Sequence, residues 1–237
     1  WFSDGKTHCV VPPLKNGDLF VAVNYFGFQN NEAFEVPNGV TVVEDMSMSA
    51  YLEPHQRSDF WIINLRKFFP LPDGALVFSR KRIPLKLYLD PPEEWWATNL
   101  SAMSLRAAGA DRSLWYAMTK EAKKQNPFGP YRMSDYSAKR VSVVHDQKAW
   151  SRRRLNYNEL MVSGLKPMLY PLDQEGPLGF PIETQDAAAE SARLAAKGVF
   201  APVMWEGHNV LMLPCDQRYT TSDMREVSRA YTEGRYA

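Results

Sequence analysis

Cysteine is nearly absent from this sequence. Its 237 residues hold two, Cys9 and Cys215. They are too distant for a metal-ligand spacing and too few for a disulfide framework, so a reducing cytoplasm is the expected compartment. Charge of one sign is lacking too: 28 Lys and Arg face 27 Asp and Glu, a net +1. That balance gives no electrostatic reason to expect a nucleic-acid or anionic-membrane partner. No apolar run is long enough to span a bilayer. The opening residues, WFSDGKTHCVV, have neither the basic nor the apolar region of a signal peptide. Trp1 stands where an initiator methionine would, so the expectation is a piece of a longer chain. There is no internal repeat and no low-complexity segment. His8, His55, His145 and His208 have no ligand spacing, and no metal is expected.

Apolar residues make up 45% of the chain, enough to build a core. Four short apolar runs read as buried strands: 18–23 (DLFVAV), 40–43 (VTVV), 60–65 (FWIINL) and 74–79 (GALVFS). Polar residues gather where three of them stop. Such a pattern predicts an α/β sheet with a ligand at its edge. Residues 93–125 read as helical with a break near Gly109. Residues 126–150, with Pro, Gly and mixed polarity, read as a connector. The pattern then changes. A helix over 151–164 precedes a strand at 178–183, a helix at 185–197, a strand at 210–213 and a helix at 221–231 with Thr221 as N-cap. We therefore expect two domains, 1–150 and 151–237, the second a small α/β sandwich.

Asn24, Asp45 and Lys67 follow the first three runs in order. An amide, a carboxylate and an amine at successive strand ends are groups that pyridoxal 5′-phosphate (PLP) chemistry needs. The amine attaches the cofactor aldehyde, and the carboxylate keeps the pyridine nitrogen protonated. Taken alone, a lysine at a strand end is a solvated lysine, and Asp45 is a helix cap for 46–51. The trio in order is what carries weight.

The run Val42-Val43-Glu44-Asp45, followed by Asn64-Leu65-Arg66-Lys67 and Pro70-Leu71-Pro72-Asp73-Gly74-Ala75, resembles fold-type I PLP enzymes. The resemblance points to the DegT/DnrJ/EryC1/StrS sugar-aminotransferase and class V aminotransferase groups. Further on, Arg153 to Leu160 resembles the helix leading into their small domain. Residues 177–182, 198–205 and 213–219 (LPCDQRY) resemble that domain's strands and closing segment. The likeness covers roughly residues 18–80 and 150–235.

The resemblance implies a large PLP-binding domain, with a mixed and mostly parallel sheet, plus a small C-terminal α/β domain. It makes Lys67 the Schiff-base lysine and Asp45 the partner of the pyridinium nitrogen. Asn24 would sit near the ring hydroxyl. Asn64 and Arg66 would bind the phosphate, where relatives place Ser and His; an arginine suits that task. Arg218 would bind a substrate carboxylate or form an ion pair. Implied partners are a small-molecule amino donor, a keto sugar or keto acid as acceptor, and a second copy in a homodimer. Two departures shape the alternative. Met48 replaces a Gln or His, with Ser47 or Ser49 nearby as substitutes. Before Asp18 there is no room for the family's phosphate-binding turn and ring-stacking aromatic. The alternative is thus a catalytically degenerate PLP-fold protein serving as a binding module. A lyase or desulfurase is a weaker reading, since neither cysteine lies in a catalytic loop.

Overall fold

A computed structural model describes residues 2–3, 6–7, 11–29, 35–49, 53–83, 89–144, 147–171, 176–204 and 208–233. Two short strands, β1 (Phe2–Ser3) and β2 (Lys6–Thr7), pair antiparallel. The four apolar runs form one sheet in the order β3 (Leu19–Val23), β4 (Thr41–Asp45), β5 (Phe60–Asn64), β6 (Ala75–Ser79). β3, β4 and β5 run parallel, and β6 returns antiparallel to β5. Parallel strands place their C-terminal ends together, so Asn24, Asp45 and Asn64 reach the same edge.

The two faces of this sheet differ. Register aligns Val23 with Asp45, Asp45 with Ile62, and Ile62 with Val77. That face also carries Leu19, Val21 and Val43, because side chains alternate along a strand. Leu19 is 62%, Val21 50% and Val77 42% exposed. The opposite face buries Phe20, Ala22 and Val42 against Val11, Leu14 and Val36. The strands are therefore not all buried, as continuous apolar runs predict; one face meets water.

Helices α1 (Glu93–Ala107) and α2 (Arg112–Lys124) pack against each other, broken at Gly109 with φ 73°. The stretch 126–150 is more than a connector. It contains α3 (Asp135–Val144) and the start of α4 (Gln147–Val162), which begins before residue 151. Its mixed polarity hid a helix whose N-cap, Ser134, accepts the Ser137 N–H at 3.2 Å and is itself held from elsewhere in the chain. The Asp73 carboxylate accepts the Ser134 N–H and Oγ–H, both at 2.6 Å, and the Ser137 hydroxyl.

The C-terminal part has an antiparallel sheet, β7 (Phe180–Glu183), β9 (Val210–Leu213), β8 (Val203–Met204), with α5 (Ala187–Ala196) and α6 (Thr221–Thr232). Thr220, not Thr221, caps α6. Its hydroxyl accepts the Asp223 N–H while the Asp223 carboxylate accepts the Thr220 N–H, a reciprocal capping box. The core of this part holds Tyr157, Leu160, Phe180, Leu194, Leu211, Leu213 and Met224.

Phe26 and Phe28, from the turn after β3, belong to that same core. Phe26 adopts a left-handed φ of 58° and is fully buried. Gly27 follows with φ 91°, and a Cβ there would lie 2.7 Å from the Leu178 nitrogen. Only glycine permits this approach. The Leu178 N–H donates to the Phe26 carbonyl at 2.7 Å. The turn after β3 is thus locked to residues far along the chain.

Candidate functional site

Lys67 ends a short 3-10 turn, Leu65–Lys67, that follows β5 directly. The Asn64 carbonyl oxygen Oδ1 accepts the Arg66 N–H at 3.0 Å and caps the turn. Leu65 and Phe68 bury on either side, with Phe69 and Leu71, so the apolar residues pull the turn down and leave Arg66 and Lys67 outward. The Lys67 amine donates to the Ser47 hydroxyl at 3.2 Å. Although Lys67 reaches solvent, protein crowds its amine. This desolvation lowers its pKa below the ordinary lysine value. The Asp45 carboxylate pulls the other way, and the Arg66 guanidinium pushes it further down.

Asp45 ends β4 and is half-buried. Its Oδ1 accepts the Ser47 N–H at 2.8 Å. Among the described residues no other donor reaches this carboxylate, and no ion pair joins it to Lys67. It caps a turn at 46–49 rather than a helix. In that turn the Met46 N–H donates to Ile62 O and the Ser49 N–H to Met46 O, both at 2.9 Å. Residues 50 and 51 lie outside the described residues. Met48 is half-buried.

Asn24 shares the sheet edge but faces elsewhere. Its backbone N–H pairs with Asp45 O at 3.0 Å, which turns its side chain toward Glu44 on the opposite face. There its Nδ2 donates to Glu44 Oε1 at 2.6 Å. Glu44 is 2% exposed and also accepts the His55 N–H at 2.8 Å and the Ser58 hydroxyl at 2.6 Å. The structure therefore brings Lys67 and Asp45 together through Ser47, with Asn64 and Arg66 in the same turn. It does not bring the Asn24 side chain to Asp45. Burial lowers the Arg66 pKa while Asp73 raises it, and an arginine stays charged regardless. Arg218 is engaged by Asp216 through two bonds of 2.7 Å; these bonds raise its pKa.

Ser47 is the residue that sequence patterning underrates. Its signal is its position two residues after Asp45, where a serine N–H can close a turn on the aspartate.

Cys215 is fully buried, and desolvation pushes its thiol up to about 12. It stays protonated near pH 8 and makes a poor nucleophile. We expect the Cys215 peptide to remain unlabelled by a thiol reagent at pH 8 until denaturant is added, read by mass spectrometry. Cys9, His8, His145 and Trp205 lie outside the described residues. Among the described residues no group of His, Cys, Asp and Glu is arranged to hold a metal, and no helix is long and apolar enough to cross a membrane.

No protein-family model and no curated protein sequence matches the chain. Solved structures do. AtS13 from Actinomadura melliaura superposes with a TM-score of 0.55 at 13% identity, over 92% of this chain and 66% of that one. A DegT DnrJ EryC1 StrS aminotransferase from Brucella abortus gives 0.49 at 13% identity, over 89% and 62%. The sugar aminotransferase CalS13 from Micromonospora echinospora gives 0.47 at 13% identity, over 83% and 59%. The chain spans less than two thirds of the length of each. What the likeness to AtS13 shows is a shared fold.

Proposed function

We propose that this chain is a PLP-dependent aminotransferase-like protein, moving an amino group between a small amino donor and a keto sugar or keto acid. The observation that carries the reading is the Lys67 amine and Asp45 carboxylate joined through Ser47 at the C-terminal edge of parallel strands.

The residues fit the group. In PLP the aldehyde carbon and the ring nitrogen lie at opposite ends of one ring, so their partners must be close but not paired. Lys67 and Asp45 meet that condition. Asp45 keeps one carboxylate oxygen without a donor among the described residues, suited to the ring N–H. The Asn64 amide and the Arg66 guanidinium would hold the phosphate. When bound, PLP supplies an electron sink. Asp45 would keep the proton on the ring nitrogen. Lys67, with its amine already below the usual lysine range, would take the substrate Cα proton and return it to the opposite carbon. Asn24 would act from behind, holding Glu44 and with it the end of β4.

The reading extends to two domains, 1–150 and 151–237, a homodimer and a cytoplasmic site. Its test is direct. The chain is mixed with PLP, reduced with borohydride and digested. A phosphopyridoxyl group on the Lys67 peptide supports the reading; a colourless chain with unmodified Lys67 overturns it. Asp45→Asn is expected to keep attachment and lose on the order of 10²–10³-fold in the half-reaction with amino acids. Stopped-flow absorbance would measure it, and an unchanged rate would remove Asp45 from its role.

A further inference from the structure

We propose that Ser47 is a positioning residue for Lys67, its hydroxyl the docking point that holds the free amine at a set distance from the Asp45 carboxylate. The proposal rests on the reading of Lys67 as the cofactor lysine.

Two contacts carry it. The Ser47 N–H donates to Asp45 Oδ1 at 2.8 Å, and the Ser47 hydroxyl accepts from Lys67 Nζ at 3.2 Å. One residue thus touches both functional groups, one through its backbone and one through its side chain. Among the described residues it is the only hydrogen-bond partner of the Lys67 amine.

Ser47 is also firmly held. Before it, Met46 is fully buried and extends the pairing of β4 with β5 through its N–H to Ile62 O. After it, Ser49 is 1% exposed, and its hydroxyl donates to Asn24 O at 3.1 Å. A serine fixed on both sides offers its hydroxyl from one place. Lysine's four-carbon stem is flexible, so a fixed anchor limits where the amine can rest. A hydroxyl also suits both states of the amine: it accepts from the ammonium, and it rotates to donate to the neutral form. The amine can therefore lose its proton without leaving the anchor.

The two serines of this turn have different duties. Ser49 faces inward and ties the turn to β3. Ser47 faces the edge and ties the amine to the carboxylate. That difference supplies the control.

The charged groups facing Lys67 are Asp45 and Arg66. Both remain in Ser47→Ala, so a changed titration reports the hydroxyl. Isotope-labelled lysine makes the Lys67 amine visible by NMR, assigned by the signal lost in Lys67→Arg, with no cofactor present. A hydrogen bond to an ammonium is stronger than one to a neutral amine. Ser47→Ala is therefore expected to lower the Lys67 midpoint, and Ser47→Thr to restore it. Ser49→Ala, which keeps the Ser47 hydroxyl and only loosens its turn, is expected to move that midpoint less than Ser47→Ala while lowering thermal stability. With PLP added at a pH above both midpoints, where the amine is neutral in either chain, Ser47→Ala is expected to attach it about tenfold more slowly, because the amine is no longer held in place.

The outcomes separate. A shifted midpoint with no attachment even in the unmutated chain keeps the anchor and overturns the cofactor reading. Normal attachment with an unmoved midpoint and rate in Ser47→Ala overturns the anchor. A midpoint moved equally by Ser49→Ala also overturns it, since the effect would then belong to the turn as a whole.

Discussion

Lys67→Ala is expected to abolish covalent PLP attachment and to lower the amino-acid half-reaction by on the order of 10⁴-fold or more. The substitution removes two functions at once, the nucleophile that attaches the cofactor and the base that moves the Cα proton. The visible band of the attached cofactor should vanish, and borohydride should leave no stable modification at this site. Lys67→Arg is the sharper variant. It keeps a positive charge near Asp45 and Ser47, yet a guanidinium neither attacks an aldehyde nor gives up its proton near neutral pH. It should be as inactive as the alanine variant. Neither change should harm the fold. Lys67 reaches solvent, and among the described residues its one hydrogen bond is to Ser47; exposed side chains of this kind contribute within about 0.5 kcal/mol. Matching thermal melts would assign the loss to chemistry. Attachment should also speed up as pH rises and level off below the ordinary lysine value, because desolvation disfavours the ammonium. A rate still climbing through that value would mean an amine no different from one in water.

Glu44→Met is the change expected to cost the most stability. The Glu44 carboxylate is buried and accepts from Asn24 Nδ2, the His55 N–H and the Ser58 hydroxyl. Methionine is of similar length and accepts none of these strongly. Three donors, two of them on the buried Asn24 and Ser58, would lose this acceptor. Orphaned buried donors and a broken charged network together cost about 3–5 kcal/mol. For a chain of this size that is a melting point lower by roughly 10 °C. The comparison to make is with Asp45→Asn, one residue along on the other face, which should lower the melting point far less. Equal losses would show that Glu44 is not the anchor of the strand end. Glu44 also binds Asn24, whose carbonyl accepts the Ser49 hydroxyl. Its loss should therefore loosen the turn that presents Ser47.

The strands, and the arrival of Asp45 and Lys67 at one sheet edge, were legible in the sequence because each rests on local pattern. Apolar runs of four to six residues stop at polar ones, and parallel strands bring those stops to one edge. The direction of Asn24 was not legible. It lies one residue past the last pair of β3 and β4, and register alone turns its amide to Glu44. Helix α3 was hidden for a similar reason. Its N-cap, Ser134, is held by Asp73, 61 residues earlier in the chain. Ser47 stood in view, but a serine two residues beyond an aspartate becomes informative only once Lys67 is seen to reach it. Residues near in sequence announced themselves; residues joined by the fold did not.

Phe68, next to Lys67, is gripped by residues far along the chain. Gln217 donates to its carbonyl at 2.6 Å, and the buried Arg153 guanidinium lies 4.9 Å from its ring. The two halves are therefore not interchangeable modules around the lysine. A chimera that swapped in another C-terminal half would have to carry matching partners for Phe68, or the lysine turn would lose its seat while every residue of its own half remained intact. Recombination in this scaffold should succeed only where positions 68, 153 and 217 are inherited as a set.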